Sequence, residues 1–135
     1  MEIFKQFHFD AAHQLGCNVP DGHKYANVHG HSFSVEVYIK GDIDPEKQWV
    51  VDFHELDEAV KALHDQLDHA YLNDIEGLEI PTLERICAWI WERLAPKFPG
   101  ISRVIVRRGT IGEGCIYEGP TDTVNLTQPQ MVAVS

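Results

Sequence analysis

This sequence predicts an α+β fold, an antiparallel sheet carrying two helices on one face, and three patterns predict it. Residues 31–40 alternate, with Phe33, Val35, Val37 and Ile39 on one side and Ser32, Ser34, Glu36, Tyr38 and Lys40 on the other. That period of two marks a half-buried strand. Two stretches in mid-chain, after Asp52 and after Pro81-Thr82, instead repeat apolar residues at helical spacing. Short apolar segments flank the helix pair on both sides, giving the order β-β-α-α-β-β. Strands joined by tight turns around paired helices pack as a sheet with the helices on one face.

Each element has its own justification. Residues 2–12 mix Ile3, Phe4, Phe7 and Phe9 with polar residues and read as the first strand. Residues 14–28 are a loop, with Gly16, Pro20-Asp21-Gly22 and Asn27 as turn chemistry. The alternating strand follows, then a turn over 41–48 and a short strand over Trp49-Val50-Val51. Asp52 is a good N-cap, and Glu55 three residues on suggests a capping box. Leu56, Ala59, Val60, Leu63 and Leu67 then build a helix that ends near Asp68-His69. The second helix carries Leu83, Ile86, Cys87, Ile90, Trp91 and Leu94 on one face, and Pro96 and Pro99-Gly100 close it. Of its tryptophans, Trp89 and Trp91, the expectation is core and flank. Residues 101–108 and 115–118 read as the last two strands. The expected organisation is one domain over 1–119 and an extended or frayed tail over 120–135.

Composition narrows the function classes. The chain has 135 residues, 44% of them hydrophobic and 24% charged, which is ordinary for a globular domain with a real core. No apolar run approaches the roughly 18 residues of a membrane span, and the first residues lack signal-peptide features. A cytoplasmic protein is expected. The net charge of −10 repels polyanions, which disfavours nucleic acid as a partner. Cys17, Cys87 and Cys115 are odd in number and widely spaced, fitting a reducing compartment. Eight histidines are many for this length.

Chemistry concentrates at His29-Gly30-His31. Positions i and i+2 of a strand share a face, so both imidazoles can reach one ion. His13 ends the first strand, and a hairpin between the first two strands would bring it alongside. Three neutral imidazoles with an open fourth position are a catalytic zinc pattern. The plainer alternative is a polar strand entrance with unrelated histidines. Asp68-His69 offers a carboxylate that could orient an imidazole. Neighbours on a helix do not face each other, so the pair works only if the chain leaves helical geometry there. Otherwise it is a solvated helix end. His8, His23, His54 and His64 read as ordinary histidines. Cys17 is a loop thiol, and Lys24 and Arg107-Arg108 are candidates for an anionic ligand or a plain basic pair.

Together the motifs resemble the family of 6-pyruvoyl-tetrahydropterin and 6-carboxytetrahydropterin synthases. The resemblance rests on Phe7-His8-Phe9-Asp10-Ala11-Ala12-His13, on Gly22-His23-Lys24 before His29-Gly30-His31-Ser32-Phe33, and on Val51-Asp52-Phe53. Leu67-Asp68-His69 with Tyr71-Leu72-Asn73, and Gly114-Cys115-Ile116-Tyr117, extend it to about residue 119. It implies the tunnelling fold (T-fold), in which subunits join as trimeric β-barrels that stack into a homo-hexamer. It also implies zinc on His13, His29 and His31, an acid/base pair in Asp68 and His69, and a substrate resembling dihydroneopterin triphosphate bound between subunits. The queuosine branch of that family yields 6-carboxytetrahydropterin, and the biopterin branch eliminates triphosphate only.

Two positions depart from the family pattern. Tyr25 stands where the family carries a base cysteine, four residues before His29, and neighbouring Lys24 matches. Gly109 stands where a glutamate anchors the pterin, followed by a matching Thr110, and Glu113 lies four residues on. Tyr25 as a catalytic acid/base, with Lys24, Thr110 and Glu113 as substrate contacts, completes the expected site. Three readings stay open: a zinc-dependent pterin lyase with altered machinery, a relative with a non-pterin substrate, and a non-catalytic zinc-binding hexamer.

Overall fold

The computed structural model describes residues 1–16 and 18–120. The expectations for Cys17 and for most of the tail fall outside the described residues. The elements run β1 (Glu2–His13), β2 (His29–Lys40), α1 (Phe53–Leu67), α2 (Leu83–Leu94), β3 (Ile101–Arg108) and β4 (Glu113–Tyr117), with one-turn 3-10 helices at Lys24–Ala26 and Leu72–Asp74. The four strands form one sheet in the order β1-β2-β3-β4, antiparallel throughout. This is the α+β architecture the sequence predicts.

The core lies between the sheet and the helices. Phe7, Phe9, Phe33, Val35, Val37, Val104 and Val106 point from one sheet face toward Leu56, Val60, Leu63, Ile86 and Ile90. Each helix buries one apolar stripe, as its spacing requires. Trp89 is fully buried and its indole N–H donates to the Glu76 carbonyl at 3.1 Å, while Trp91 is half-buried at the flank. Gly100 is needed because a Cβ there would collide with the Lys40 carbonyl, where the chain enters β3.

Three local expectations are corrected. Trp49-Val50-Val51 is a bend, not a strand. The Asp44 carboxylate accepts from the Glu46 and Lys47 N–H groups, and Gln48 adopts φ 63°, so the chain turns back and Val50 and Val51 pack on the core. Asp52 caps α1 by accepting from His54 N–H at 2.9 Å, one residue earlier than a capping box uses. β2 and β4 each begin two residues earlier than their apolar patterns, because hairpin pairing carries the ladder past the packed side chains into His29-Gly30 and Glu113-Gly114.

Candidate active site

The β1–β2 register builds the histidine cluster. His13 lies directly opposite His29, and Ala11 opposite His31. All three imidazoles therefore share the helix-side face, at the end of the hairpin nearest the 14–28 loop. One ligand nitrogen from each lies within 4.8 Å of the others. The Nδ1 atom of His13 lies 2.9 Å from the Pro81 carbonyl, and that of His29 lies 2.8 Å from the Asn27 carbonyl. A carbonyl only accepts, so each Nδ1 carries the proton and leaves a bare lone pair on Nε2. The Nε2 atoms of His13, His29 and His31 are all buried without a protein partner.

Three orphaned acceptors converging on one point fit a bound cation. Burial pushes the His13 pKa down to about 4, against the Pro81 hydrogen bond and helped by its two neighbouring imidazoles. His31 is lowered too, first by burial and then by the Arg108 charge. Neutral imidazole is the form a metal takes. Three nitrogen ligands suit zinc and not a hard, oxygen-seeking cation. His13, His29 and His31 are the residues that could hold such a cation.

Asp68 and His69 meet because α1 stops between them. The Asp68 N–H closes the last helical turn on the His64 carbonyl, but its own φ and ψ are extended, and His69 turns to φ 58°. The following segment lies along the edge of β1. His69 N–H donates to the Asp10 carbonyl at 2.6 Å, Ala12 N–H donates to the Ala70 carbonyl at 3.0 Å, and Ala12 and Tyr71 form a parallel bridge. In this geometry His69 Nδ1 lies 2.9 Å from Asp68 Oδ2. Asp68 Oδ1 accepts from the Asp10 N–H at 3.0 Å, which holds its carboxyl below the usual range, with His69 adding to the effect. Asp68 in turn raises the His69 pKa. The pair has left helical geometry, as cooperation requires, while His69 stays 80% exposed at the helix end.

A cavity of 560 Å³ is lined by residues including His31, His69, Asp10, Ser32 and Thr110. Its size lies in the range that holds a small ligand. Tyr25 sits in the 3-10 turn Lys24–Ala26 and stacks on His29, with ring centroids 5.3 Å apart. Lys24 is exposed in the same turn and does not line the cavity. Glu113 is ion-paired to Arg108 at 2.9 Å and lines a separate hollow with Gly109. Of the substrate contacts expected from sequence, Thr110 alone joins the cavity beside His31 and His69.

The basic pair separates across the sheet. Arg107 pairs with Glu36 at 3.1 Å, while Arg108 points inward and is buried near His31. His23 is structural: its Nδ1 accepts from Tyr25 N–H at 3.1 Å and caps the turn. Sequence reasoning missed Asp10, Ser32 and the carbonyls of Asn27 and Pro81. Asp10 and Ser32 face each other in the register, which the two strand patterns contained. Pro81 left no signal, because it reaches His13 from 68 residues away.

The sequence pattern of the 6-pyruvoyl tetrahydropterin synthase family matches residues 2–120. A 6-carboxy-5,6,7,8-tetrahydropterin synthase of Synechocystis is 43% identical over 113 residues, covering 77% of this chain and 83% of the relative. A dihydroneopterin monophosphate aldolase of Pyrococcus furiosus is 38% identical over 106 residues, covering 78% and 83%. In solved structures, 6-pyruvoyl tetrahydropterin synthase of Caenorhabditis elegans has the same fold, with a TM-score of 0.81 at 24% identity over 89% of this chain and 96% of that one. Sequence match and fold thus agree over nearly all the described residues, and the chain belongs to the 6-pyruvoyl tetrahydropterin synthase family, a family of pterin lyases.

Proposed function

We propose that this enzyme is a zinc-dependent lyase acting on the side chain of a reduced pterin, 7,8-dihydroneopterin triphosphate or its monophosphate. The observation that carries the reading is the cavity lined by both His31 and His69, with His69 held by Asp68 at 2.9 Å. Zinc on His13, His29 and His31 would polarise a side-chain oxygen and ease loss of a neighbouring proton. His69 is the group placed to take or return that proton. Asp68 fixes its tautomer, since Nδ1–H must donate to the carboxylate and Nε2 is left to work in the cavity. Thr110 offers a hydroxyl to the ligand from the β3–β4 turn.

Tyr25 favours one branch of this chemistry. A phenol yields its anion less readily than a thiol and is the poorer base against C–H bonds. Carbon–carbon cleavage begins instead with an O–H proton, which the neutral His69 can accept, and the bond electrons pass into the C=N of the dihydropterin ring. This supports an aldolase-type reading beside the 6-carboxytetrahydropterin synthase of queuosine biosynthesis. Tyr25 then serves as an acid near the metal. Lys24, exposed in the turn before β2, would meet phosphate, and Glu113 would reach a ligand only by exchanging Arg108 for it.

The assembly belongs to the same reading. The outer edges of β1 and β4 offer ladder hydrogen bonds, and Phe4 and Ile116 stand exposed on the uncovered sheet face. Edge pairing between copies would satisfy both and close a homo-hexamer of two stacked trimers. No helix among the described residues is long and apolar enough to cross a membrane, and we place the enzyme in the cytoplasm. The test supplies zinc-loaded protein with each dihydroneopterin phosphate and separates the pterin products by chromatography. Consumption of either substrate, lost in His69→Ala, is expected. Full zinc occupancy with no turnover of either would overturn the assignment.

A further inference from the structure

Helix α2 and strand β4 meet through two thiols that the pterin chemistry leaves idle. Cys87 belongs to the buried stripe of α2, and its Sγ lies 3.5 Å from the Cys115 carbonyl oxygen and 3.8 Å from that of Val104. Cys115 pairs with Val106 in the β3–β4 register. Cross-strand partners share a face, so the Cys115 side chain points toward the helices, as buried Val106 does. There it packs on the core, and the two thiols are in hydrogen-bond contact. Both cysteines are free, Cys87 fully buried and Cys115 half-buried.

This asymmetry gives each sulfur its role. Oxidation of a thiol follows access, so a peroxide reaches Cys115 before Cys87. Burial and the adjoining Cys115 push the Cys87 thiol up, so Cys87 keeps its proton while Cys115 reacts. We propose that Cys115 and Cys87 are a modification site for small hydroperoxides, in which Cys115 is oxidised first and Cys87 closes a disulfide between β4 and α2. The Cys115 sulfur gives an electron pair to one peroxide oxygen, the O–O bond breaks, and water leaves with the Cys115 proton. Cys87 then attacks the sulfenic sulfur, the S–O bond breaks, and the Cys87 proton leaves with the hydroxide as a second water. Two electrons pass from the sulfurs to the peroxide. Strand β4 has five residues and is held by one ladder, to β3. The disulfide staples this edge strand to the helix beneath it, whatever ligand the cavity takes.

The test treats the full, zinc-loaded chain with hydrogen peroxide, alkylates it in denaturant with N-ethylmaleimide, and maps the digest by mass spectrometry. The expected product is a linked Cys87–Cys115 peptide pair, lighter by two hydrogens and released by dithiothreitol. The oxidised protein should melt ~10 °C above the reduced one, because the bond closes a long loop in the unfolded chain. In Cys87→Ala no resolving thiol remains, and dimedone should trap Cys115 as its sulfenic acid. In Cys115→Ala the same peroxide dose should leave Cys87 reduced. Free thiols at both positions in the treated native protein would overturn the inference. So would a link from either cysteine to Cys17, or between two copies, in place of the Cys87–Cys115 pair. Ready oxidation of Cys87 in Cys115→Ala would remove the assigned order of reaction and overturn it too. A linked pair that lowers the melting temperature would overturn the staple. The native map decides the pairing even where a variant fails to fold.

Discussion

Acid should destabilise the metal-free protein through His13. Its imidazole is fully buried and titrates at about 4, against 6.5 when exposed. Between those values the unfolded chain binds a proton there and the native chain does not. Stability must then fall as pH falls, by 1.36 kcal/mol per unit. Over the interval of about 2.5 units the loss is about 3 kcal/mol, complete once pH drops below 4. That is a large share of the ~5–15 kcal/mol that holds a domain together. The perturbation that isolates it is His13→Gln, whose amide can still donate to the Pro81 carbonyl but does not titrate. Urea unfolding of chelator-stripped protein, repeated from pH 7 to pH 4, should show the native chain losing about 3 kcal/mol more than the variant. Zinc at a hundredfold excess over its Kd should add about 2.7 kcal/mol to the native chain at pH 7. It should add progressively less as acid protonates the ligands. Parallel pH profiles for native and variant protein would refute the reasoning, because the burial of His13 would then exert no pull on its proton.

Three further outcomes are expected. Asp68→Asn should bring the His69 pKa down toward the ordinary histidine value, read from the imidazole signals in an NMR titration; an unmoved His69 would mean the 2.9 Å contact carries no charge coupling. Joint replacement His29→Ala with His31→Ala should abolish bound zinc in elemental analysis while the fold survives, since an open catalytic site is not a structural clasp. Gly100→Ala should cost ~1–3 kcal/mol in thermal or urea unfolding, because the new Cβ meets the Lys40 carbonyl, which is backbone and cannot swing aside.

How much of this was legible in sequence follows from what acts locally. The alternation of Phe33 to Ile39 fixed the face of β2, and that face fixed where His29 and His31 point. The stop of α1 was legible, but the turn that lets Asp68 reach His69 was not. It depends on β1 lending its free edge to residues 69–71, a contact across 58 positions. Trp49-Val50-Val51 misled because three large apolar residues look alike whether they pair in a sheet or cap a core. Glu113 was nominated by nearness in sequence to Gly109, yet the β3–β4 hairpin turns it onto Arg108. Carboxylate and cavity were both foreseeable, and their separation was not.

The two departures from the family pattern sit on the same kind of structure. Tyr25 is in the one-turn helix of the 14–28 loop, and Gly109 opens the turn between β3 and β4. The three histidines sit on paired strands, where a one-residue slip of β2 would send His29 and His31 to the opposite face from His13. The scaffold therefore divides its labour between paired strands and loops. Strand register acts as a ratchet that holds the three imidazoles together, while the loops carry the two positions that depart from the pattern. Gly109 has open space where a side chain would begin. Either loop position can therefore take a new side chain without disturbing the register that gathers the three histidines.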